Sequence, residues 1–544
     1  MIAAVTGSSD PVDELLDTVT SVTRDLAGDE KVRPALDPSP RAEMGDYSTN
    51  AAMMLAGPLG RPPREIAVDL AAAVAQRLGS SLAATEVAGP GFINIFLADS
   101  WYRQAVAAMA LTGAREVAPA GDPERIIVEF VSANPTGPLT AASGRHAAYG
   151  DALARLLRQT GHQVTTEYYV NDGGTQVENF AASIAARMAG EDPPADGYHG
   201  TYVNELAERA RAEGHDPADL EQLAATGVGW MVEGIRASLE NFGVRMDDFF
   251  SERSLYEENL VDRGIERMRA AGHVFERDGA IWLKTTDFGD DKDRVLIRSN
   301  GEVTYFGADV AYHVDKIERG NDRLIDVLGA DHHGYVTRVA AAIEALEGDR
   351  AEFEGLIIQL IHLVEGGQRT KMSKRAGDIV TLDELTRDIG ADSARWFLLA
   401  RSHNQTIDLD LDLARRQSSD NPVYYVQYAH ARIQSILRKA GSEGGKPSGD
   451  ALAAPVDPAE KALISKLLGF SIEVHEAAGR RAPHRICAYV TELAAAFHAF
   501  YRDCQVVGAE GEGVETARIQ LCQVAAGTIR ESLGLLGISA PDRM

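Results

Sequence analysis

The chain has 544 residues, of which 45% are hydrophobic and 25% are charged, and its formal net charge is −27. This length is too great for one core and predicts roughly three or four domains, while the acidity argues against nucleic-acid binding by general electrostatic attraction. No apolar run approaches the about 20 residues of a membrane span, and residues 1–16 carry no export signal, so we expect a cytoplasmic protein without a membrane partner.

Residues 1–115 predict a small α+β domain. Apolar residues recur three to four apart at 12–27 and 64–78, as they do in amphipathic helices. Residues 92–97 (FINIFL) follow the turn sequence Gly-Pro-Gly at 89–91 and are typical of a strand. A segment with Pro and Gly at 118–123 then predicts a linker to the next domain.

Residues 124–390 predict an α/β domain on a parallel sheet. Residues 125–131 are short, apolar and β-branched, like a strand buried on both faces. A loop rich in Pro and Gly, a helix at 143–159 and a second strand at 164–170 should follow. We expect a helical insertion at about 179–250 and further strands at 280–284, 294–297, 303–306 and 324–328. Since ligands collect at the carboxyl ends of parallel strands, the loops after the first two strands should share one crevice.

Residues 391–544 predict a helical domain. Helical spacing of apolar residues covers 393–400, 422–440, 461–478 and 483–502. The chain has three cysteines, Cys487, Cys504 and Cys522, which are spaced too widely for a zinc unit. We therefore predict no metal site built from protein ligands.

Two loops have the residue types that handle nucleotide phosphates. Residues 132–139 (SANPTGPL) lie between a predicted strand and a helix, where backbone donors can meet an anion. Residues 371–377 (KMSKRAG) place Lys371 and Lys374 on a Gly-flanked loop, so that two ammonium groups can close over phosphates. Such groups suit adenylyl transfer, which depends on positioning and on neutralising the leaving pyrophosphate.

The two loops resemble the ATP-binding signatures of class I aminoacyl-tRNA synthetases, and the wider pattern resembles the arginyl family. Residues 45–53 (GDYSTNAAM) and 89–94 (GPGFIN) are similar to the additional N-terminal domain of that family. The likeness extends from about Asp46 to the C-terminus. It implies a Rossmann-type parallel sheet core, an N-terminal α+β domain that binds the tRNA corner, and a C-terminal all-α bundle that binds the anticodon.

The resemblance also implies which residues handle ATP. Catalytic roles would fall to Lys371, Ser373 and Lys374, and to Thr140 and Ser143 in the first signature. The ATP-binding residues would be Ala133, Pro135, Thr136, Gly137, Pro138, Leu139, Asp331, His332 and Met372.

One signature is altered, because Thr140 and Ser143 stand where the family carries two histidines. Their hydroxyls can give only neutral hydrogen bonds, and Ser143 is a good helix N-cap. We hypothesise that Arg145 or His146, one helical turn further on, supplies the missing positive contact to ATP. The alternative is that both are ordinary solvent-facing helix residues.

Arginine recognition requires carboxylates for the guanidinium group and separate contacts to the α-amino and α-carboxylate groups. Tyr305, Asp309 and Glu252 match family positions that contact the substrate. Asn134, Asn171 and Asp172 suit either the α-amino group or the ribose. Ser132 and His333 complete the predicted arginine site, and His333 stands where many relatives have glutamine.

The resemblance implies tRNA contacts at both ends of the chain. The predicted residues are Asn50 and Phe92 in the first domain and Tyr424, Tyr428 and Arg432 in the last. Tyrosine and arginine at helical spacing can stack on unpaired bases, although core packing explains any single tyrosine equally well.

The leading prediction is an arginine–tRNA ligase that uses ATP with Mg²⁺, forms arginyl-adenylate and charges tRNA(Arg), and we expect a monomer. Magnesium held by phosphates and water would need no protein cage. One alternative, motivated by the missing histidines, is a catalytically weakened tRNA-binding or regulatory protein. The other, motivated by His333, is a ligase for another amino acid.

Overall fold

The computed structural model describes residues 10–114, 117–119, 121–347, 351–369, 380–441 and 449–544. The lysine motif, with Lys371, Met372, Ser373 and Lys374, lies outside these described residues. Within them, the helices are all too short or too polar to cross a membrane.

The N-terminal part is an α+β domain with an antiparallel sheet. Its elements are α1 (Pro11–Ala27), β1 (Leu36–Pro38), β2 (Tyr47–Thr49), α2 (Ala51–Leu59), α3 (Pro63–Leu78), β3 (Leu82–Ala88), β4 (Phe92–Leu97) and α4 (Asp99–Thr112). The strand order is β1-β2-β4-β3. Helix α1 begins where the Asp10 carboxylate accepts the main-chain N–H groups of Val12 and Asp13, which caps the helix.

The central part begins with two strands and a helical excursion. Its first elements are β5 (Arg125–Glu129), α5 (Ala141–Gln159), β6 (Gln163–Val170), α6 (Gly174–Ala189), α7 (Thr201–Glu213), α8 (Leu220–Asn241) and β7 (Asp248–Ser251). Helices α6, α7 and α8 bury a separate apolar cluster that includes Phe180, Ile184 and Leu223. The strand predicted at 125–131 is thus present, and the polar stretch after 179 is helical.

The second half of the central part completes the sheet and adds two smaller ones. Its elements are α9 (Glu252–Glu257), α10 (Leu260–Ala270), β8 (Val274–Arg277), β9 (Ala280–Leu283), β10 (Arg294–Ile297), α11 (Tyr305–Glu318), β11 (Arg323–Gly329), α12 (His333–Glu347), β12 (Glu352–Ile358), β13 (Ile361–Glu365), β14 (Gln368–Arg369), α13 (Leu382–Ile389), α14 (Ala391–Leu399), β15 (Ile407–Asp410) and α15 (Leu411–Ala414). The small sheets have the orders β10-β9-β8 and β14-β13-β15.

The main sheet is parallel, with the strand order β12-β11-β5-β6-β7. Strand β5 lies at the centre, and the chain leaves it through α5 to reach β6 on one side, while β11 pairs with its other edge. The order therefore reverses at β5. In open α/β sheets a ligand crevice forms at such a switch point, outside the carboxyl ends of the strands.

The strand predicted at 303–306 is wrong. Val303 forms only an isolated bridge with Ile297, and helix α11 begins at Tyr305. The reason is Thr304, whose side chain accepts the Gly307 N–H at 3.0 Å and donates to the Val295 carbonyl at 2.7 Å. One threonine thus caps the helix and ties its start to β10.

The C-terminal part is a helical bundle. Its elements are α16 (Pro422–Ala440), α17 (Gly449–Ala453), α18 (Pro458–Leu468), α19 (Phe470–Gly479), α20 (His484–Asp503) and α21 (Val514–Leu535). The bundle is joined to the N-terminal domain through Glu460 on α18. This carboxylate is fully buried and accepts hydrogen bonds from Arg103 on α4 and Arg518 on α21.

Candidate active site

The candidate site is the crevice at the carboxyl ends of β5, β6, β7 and β11. The chain leaves β5 through an unusual turn, in which Val131 (φ 71°) and Ser132 (φ 38°) both have left-handed backbone conformations. Such angles are strained for residues other than glycine, above all for a β-branched one. The Ser132 hydroxyl donates to Glu129 at 2.9 Å and accepts the Tyr169 N–H at 3.1 Å, which joins the turn to β6.

The loop at 132–139 is held from both sides. The Tyr168 hydroxyl donates to the Ala133 carbonyl, and the Tyr202 hydroxyl donates to the Thr136 carbonyl, each at 2.7 Å. A Cβ at Gly137 would lie 3.1 Å from the Tyr202 hydroxyl, so a larger residue there would have to displace the tyrosine slightly. The other predicted members are Pro135 and Leu139, which are buried, and Pro138, which is exposed.

Thr140 and Ser143 form the cap of helix α5. Thr140 is the N-cap, and its hydroxyl accepts the Ser143 N–H at 3.2 Å, while the Ser143 hydroxyl accepts the Thr140 N–H at 3.4 Å. The prediction that Ser143 is the N-cap is therefore wrong by three residues. The two side chains in the positions of the missing histidines satisfy backbone donors of the helix.

Arg145 is not available to ATP, which corrects the hypothesis made from the sequence. The side chain is 2% exposed, and burial lowers its pKa to about 10. Its guanidinium donates to the main-chain carbonyls of Gln359 (2.6 Å), Leu360 (3.3 Å), Ser402 (3.0 Å) and Gln405 (2.8 Å). Arg145 thus joins α5 to the β12–β13 turn and to the segment before β15.

His146 lies at the end of β11, where its Cε1 is 3.9 Å from the position that a Cβ on Gly329 would occupy. Burial lowers the pKa of its imidazole to about 4, with a smaller contribution from the neighbouring Arg145 charge. The ring is therefore neutral at pH 7. It can form hydrogen bonds in the crevice but cannot supply the positive charge expected from the sequence.

The described residues after the lysine motif lie beside the first loop. Ala141 N–H donates to the Val380 carbonyl at 3.0 Å, and Leu382 N–H donates to the Leu139 carbonyl at 2.8 Å. Thr140 and Thr381 form an antiparallel bridge between these contacts. The chain that follows the second motif is thus hydrogen-bonded to the chain that follows the first.

Carboxylates gather on the other side of the crevice. Burial raises the pKa of Asp309 to about 7, with smaller contributions from the Glu129 and Glu252 carboxylates. Burial also raises the pKa of Glu252, which accepts a hydrogen bond from the Tyr169 hydroxyl. Such a cluster favours binding of a cation, because a positive ligand relieves the repulsion between the carboxylates. Tyr305, in the first turn of α11, is 79% exposed.

Asp172 and the amides line the remaining edge. Asp172 accepts hydrogen bonds from the Ser251 hydroxyl at 2.6 Å and the Arg253 N–H at 3.0 Å, which fixes its carboxylate between β6 and α9. Asn134 donates to Gln176 at 2.6 Å. Asn171 is partly exposed at the end of β6.

The segment after β11 brings a further group of predicted residues to the crevice. Asp331 and His332 are exposed, with 3.7 Å between their carboxylate and imidazole. The charge of Asp331 also acts on His146. His333 begins α12, but its side chain lies outside the described part of the structure.

A buried charge network beneath the crevice was not predicted. Lys316 on α11 is fully buried and donates to Glu129 at 2.6 Å and to Asp326 at 2.9 Å. His313, on the same face of α11 as Lys316, contacts Asp326 on β11 at 2.9 Å. The sequence feature that could have indicated this network is the spacing of its residues. His313 and Lys316 follow Asp309 by one and two helical turns.

The residues predicted to contact tRNA lie on two surfaces. In the last domain the rings of Tyr424 and Tyr428 are stacked with centroids 6.2 Å apart, and the Arg432 guanidinium lies 4.6 Å from the Tyr428 centroid. In the first domain Phe92 is 38% exposed. Asn50 accepts the Ala35 N–H at 3.1 Å, so its side chain also supports the fold.

Three protein families match parts of the chain. They are "Arginyl tRNA synthetase N terminal domain" over residues 13–97, "tRNA synthetases class I (R), catalytic domain" over 228–419, and "DALR anticodon binding domain" over 426–544. Together they cover the N-terminal domain, much of the central part and the helical bundle.

Similar proteins and structures cover nearly the whole chain. The arginine–tRNA ligase of Frankia alni is 46% identical over 515 residues, which are 92% of this chain and 93% of that protein. The Bacillus subtilis enzyme of the same name is 43% identical over 92% of both chains. The putative arginyl-tRNA synthetase of Campylobacter jejuni superposes with a TM-score of 0.75 at 32% identity, covering 82% of this chain and 100% of that one. The Thermus thermophilus arginyl-tRNA synthetase gives 0.75 at 23% identity, covering 98% and 100%, and shows the likeness of fold.

The contacts of Arg145 predict that Arg145→Lys destabilises the protein by about 2–3 kcal/mol, because one ammonium cannot reach carbonyls on two segments and leaves buried acceptors unpaired. Denaturant unfolding followed by circular dichroism measures the change. Arg158→Lys is the matched control, since that side chain on the same helix is 40% exposed and should change stability by less than about 0.5 kcal/mol. Equal effects of the two substitutions would contradict the role assigned to Arg145.

Proposed function

The chain belongs to the arginyl-tRNA synthetase family, and we propose how its own residues divide the work of an arginine–tRNA ligase. The reaction joins arginine to tRNA(Arg), with ATP converted to AMP and pyrophosphate. It first forms arginyl-adenylate, and the terminal ribose hydroxyl of the tRNA then attacks the activated carbonyl. The carboxylate cluster opposite the phosphate loop is the observation that supports the assignment of substrates within the crevice.

The arginine side chain binds at the acidic end of the crevice. Asp309 and Glu252 receive the guanidinium group, whose planar donors match carboxylate oxygens. Tyr305 lies at the entrance, where its exposed ring can cover the bound side chain. The α-amino and α-carboxylate groups are held at the opposite end by a polar set that comprises Ser132, Asn134, Asn171, Asp172 and His333.

ATP binds along the loop at 132–139 and the start of α5. The ribose and base are met by the segment with Asp331 and His332, and the phosphates by the first loop with Lys371, Met372, Ser373 and Lys374. Because Thr140 and Ser143 cap the helix and His146 is neutral, the lysines provide the positive charge that stabilises the leaving pyrophosphate. Mg²⁺ enters with ATP, held by phosphate oxygens and water.

The tRNA binds across the two terminal domains. The Tyr424, Tyr428 and Arg432 surface on α16 offers stacking faces and one cation, which suit the unpaired bases of an anticodon loop. Phe92 and Asn50 contribute from the N-terminal domain. Against a net charge of −27, recognition depends on such local surfaces. We further propose that the enzyme acts as a monomer in the cytoplasm.

Amino-acid-dependent ATP–pyrophosphate exchange and tRNA charging test the substrate assignment. We expect product with arginine alone among the standard amino acids, and we expect Asp309→Asn to raise the KM for arginine by about tenfold or more through loss of a charge-assisted hydrogen bond. Asp331→Asn is the control, since that carboxylate is assigned to the nucleotide and should leave the KM for arginine unchanged. Charging with another amino acid, or with none, would overturn the assignment.

The raised pKa of Asp309 predicts a pH-dependent affinity for arginine. The carboxylate loses its charge as the pH falls through about 7, while the guanidinium keeps its charge throughout. The KM for arginine should therefore be low above pH 8, rise as the pH falls through 7, and level off near the KM of Asp309→Asn. Steady-state kinetics from pH 5.5 to 9 measure this profile. Asp309→Asn should flatten it around pH 7, and a wild-type KM that is constant across the range would contradict the prediction.

The stacked tyrosines predict a specific loss of tRNA affinity. Tyr428→Ala removes a stacking face and should raise the Kd for tRNA(Arg) roughly tenfold, whereas Tyr428→Phe keeps the ring and should stay within about twofold. Filter binding at fixed ionic strength measures both. Equal losses in the two variants would assign the effect to the hydroxyl group instead of to stacking.

A further inference from the structure

Glu129 stands between the two halves of the crevice. It is the last residue of β5, and its two carboxylate oxygens have different partners. One accepts the buried Lys316 ammonium at 2.6 Å, and the other accepts the Ser132 hydroxyl at 2.9 Å. One side chain thus contacts both the helix that carries the arginine carboxylates and the turn that begins the nucleotide loop.

The turn needs such support because its backbone is strained. Left-handed conformations at Val131 and Ser132 are unfavourable for residues other than glycine and persist only where surrounding contacts enforce them. The enforcing contacts are the Ser132 hydrogen bonds to Glu129 and to the Tyr169 N–H. Without the Ser132 hydroxyl, the turn loses the hydrogen bonds that hold the chain on this path into the loop at 133–139.

The helix side of the connection is rigid. Lys316 lies two helical turns after Asp309 on α11, and its second partner Asp326 is on β11. A fully buried ammonium between two carboxylates cannot shift without leaving a charge unpaired, which is strongly unfavourable. The position of α11 therefore fixes the position of Glu129 through the short, buried hydrogen bond from Lys316.

We propose that Glu129 is a positioning residue that couples the arginine-binding helix α11 to the nucleotide loop through Lys316 and Ser132. This inference rests on the proposed function of the crevice. Glu129 holds the Val131–Ser132 turn in the conformation that brings the ATP α-phosphate in line with the arginine carboxylate. It acts on the alignment of two bound substrates, so its loss lowers the rate of adenylate formation more than the affinity for arginine.

Kinetics of Glu129→Gln and Ser132→Ala test the coupling. Ser132→Ala leaves the buried charges intact and tests the turn even if Glu129→Gln folds poorly. With saturating arginine and tRNA(Arg) present, we expect each variant to lower the kcat of ATP–pyrophosphate exchange about tenfold. Glu129→Gln should change the Kd for arginine by less than about threefold, whereas Ser132→Ala also removes a proposed contact to arginine and should raise that Kd. The kcat of the double variant should lie within about twofold of the kcat of the slower single variant, because the two residues act as one unit.

Glu354→Gln is the matched control, since this partly buried carboxylate on β12 pairs with Arg323 and Arg481 away from the loop. It should lower the thermal midpoint and leave kcat within about twofold. Unchanged kcat in Ser132→Ala, additive losses in the double variant, or a loss in Glu129→Gln that is confined to arginine affinity would each overturn the inference. A wild-type protein that activates no arginine would instead overturn the proposed function.

Discussion

The buried charge network on helix α11 is the constraint on which the crevice depends. Lys316 is fully buried between Glu129 and Asp326, and Arg319 on the next turn pairs with the buried Glu167. These carboxylates come from β5, β11 and β6, so one helix is tied to neighbouring strands of the main sheet. A buried ion pair contributes little net stability, but removing one ion and leaving its partner buried and unpaired is strongly destabilising. The network therefore sets the position of α11, and Asp309, the carboxylate that we propose binds the arginine side chain, is held in that position.

On the phosphate side of the crevice, the polar side chains near the first signature stabilise the local fold. Thr140 and Ser143 satisfy each other's backbone donors, and Arg145 satisfies carbonyls on two distant segments. Side chains near the first signature are thus occupied in stabilising the start of α5 and its neighbours. In the function that we propose, positive charge for the nucleotide therefore comes from the lysine motif. The antiparallel bridge between Thr140 and Thr381 brings the sequence that follows the lysine motif to the same place.

Much of the fold was predictable, because it depends on local patterns. The apolar run at 125–129, the Pro- and Gly-rich loop and the helix that follows are each specified by adjacent residues. The role of Arg145 was not predictable, since its partners are more than 200 residues away in sequence. The strand expected at 303–306 was wrong for a local reason. Apolar Val303 and Phe306 fit a strand pattern, but the Thr304 hydroxyl caps a helix that begins at Tyr305. Tyr305 and Asp309 were predicted by resemblance, whereas the spacing of Lys316 from Asp309 indicates a buried charge only once the burial of Lys316 is known.

The Arg103–Glu460–Arg518 contact has a consequence for how such a protein can be taken apart. The N-terminal domain supplies one of two cations to a carboxylate buried in the C-terminal bundle, although some 350 residues separate them in sequence. A chimera that exchanged only one terminal domain with a distant relative would bury Glu460 without its full complement of charge. The two ends of the chain would therefore have to be exchanged together for Glu460 to keep both of its partners.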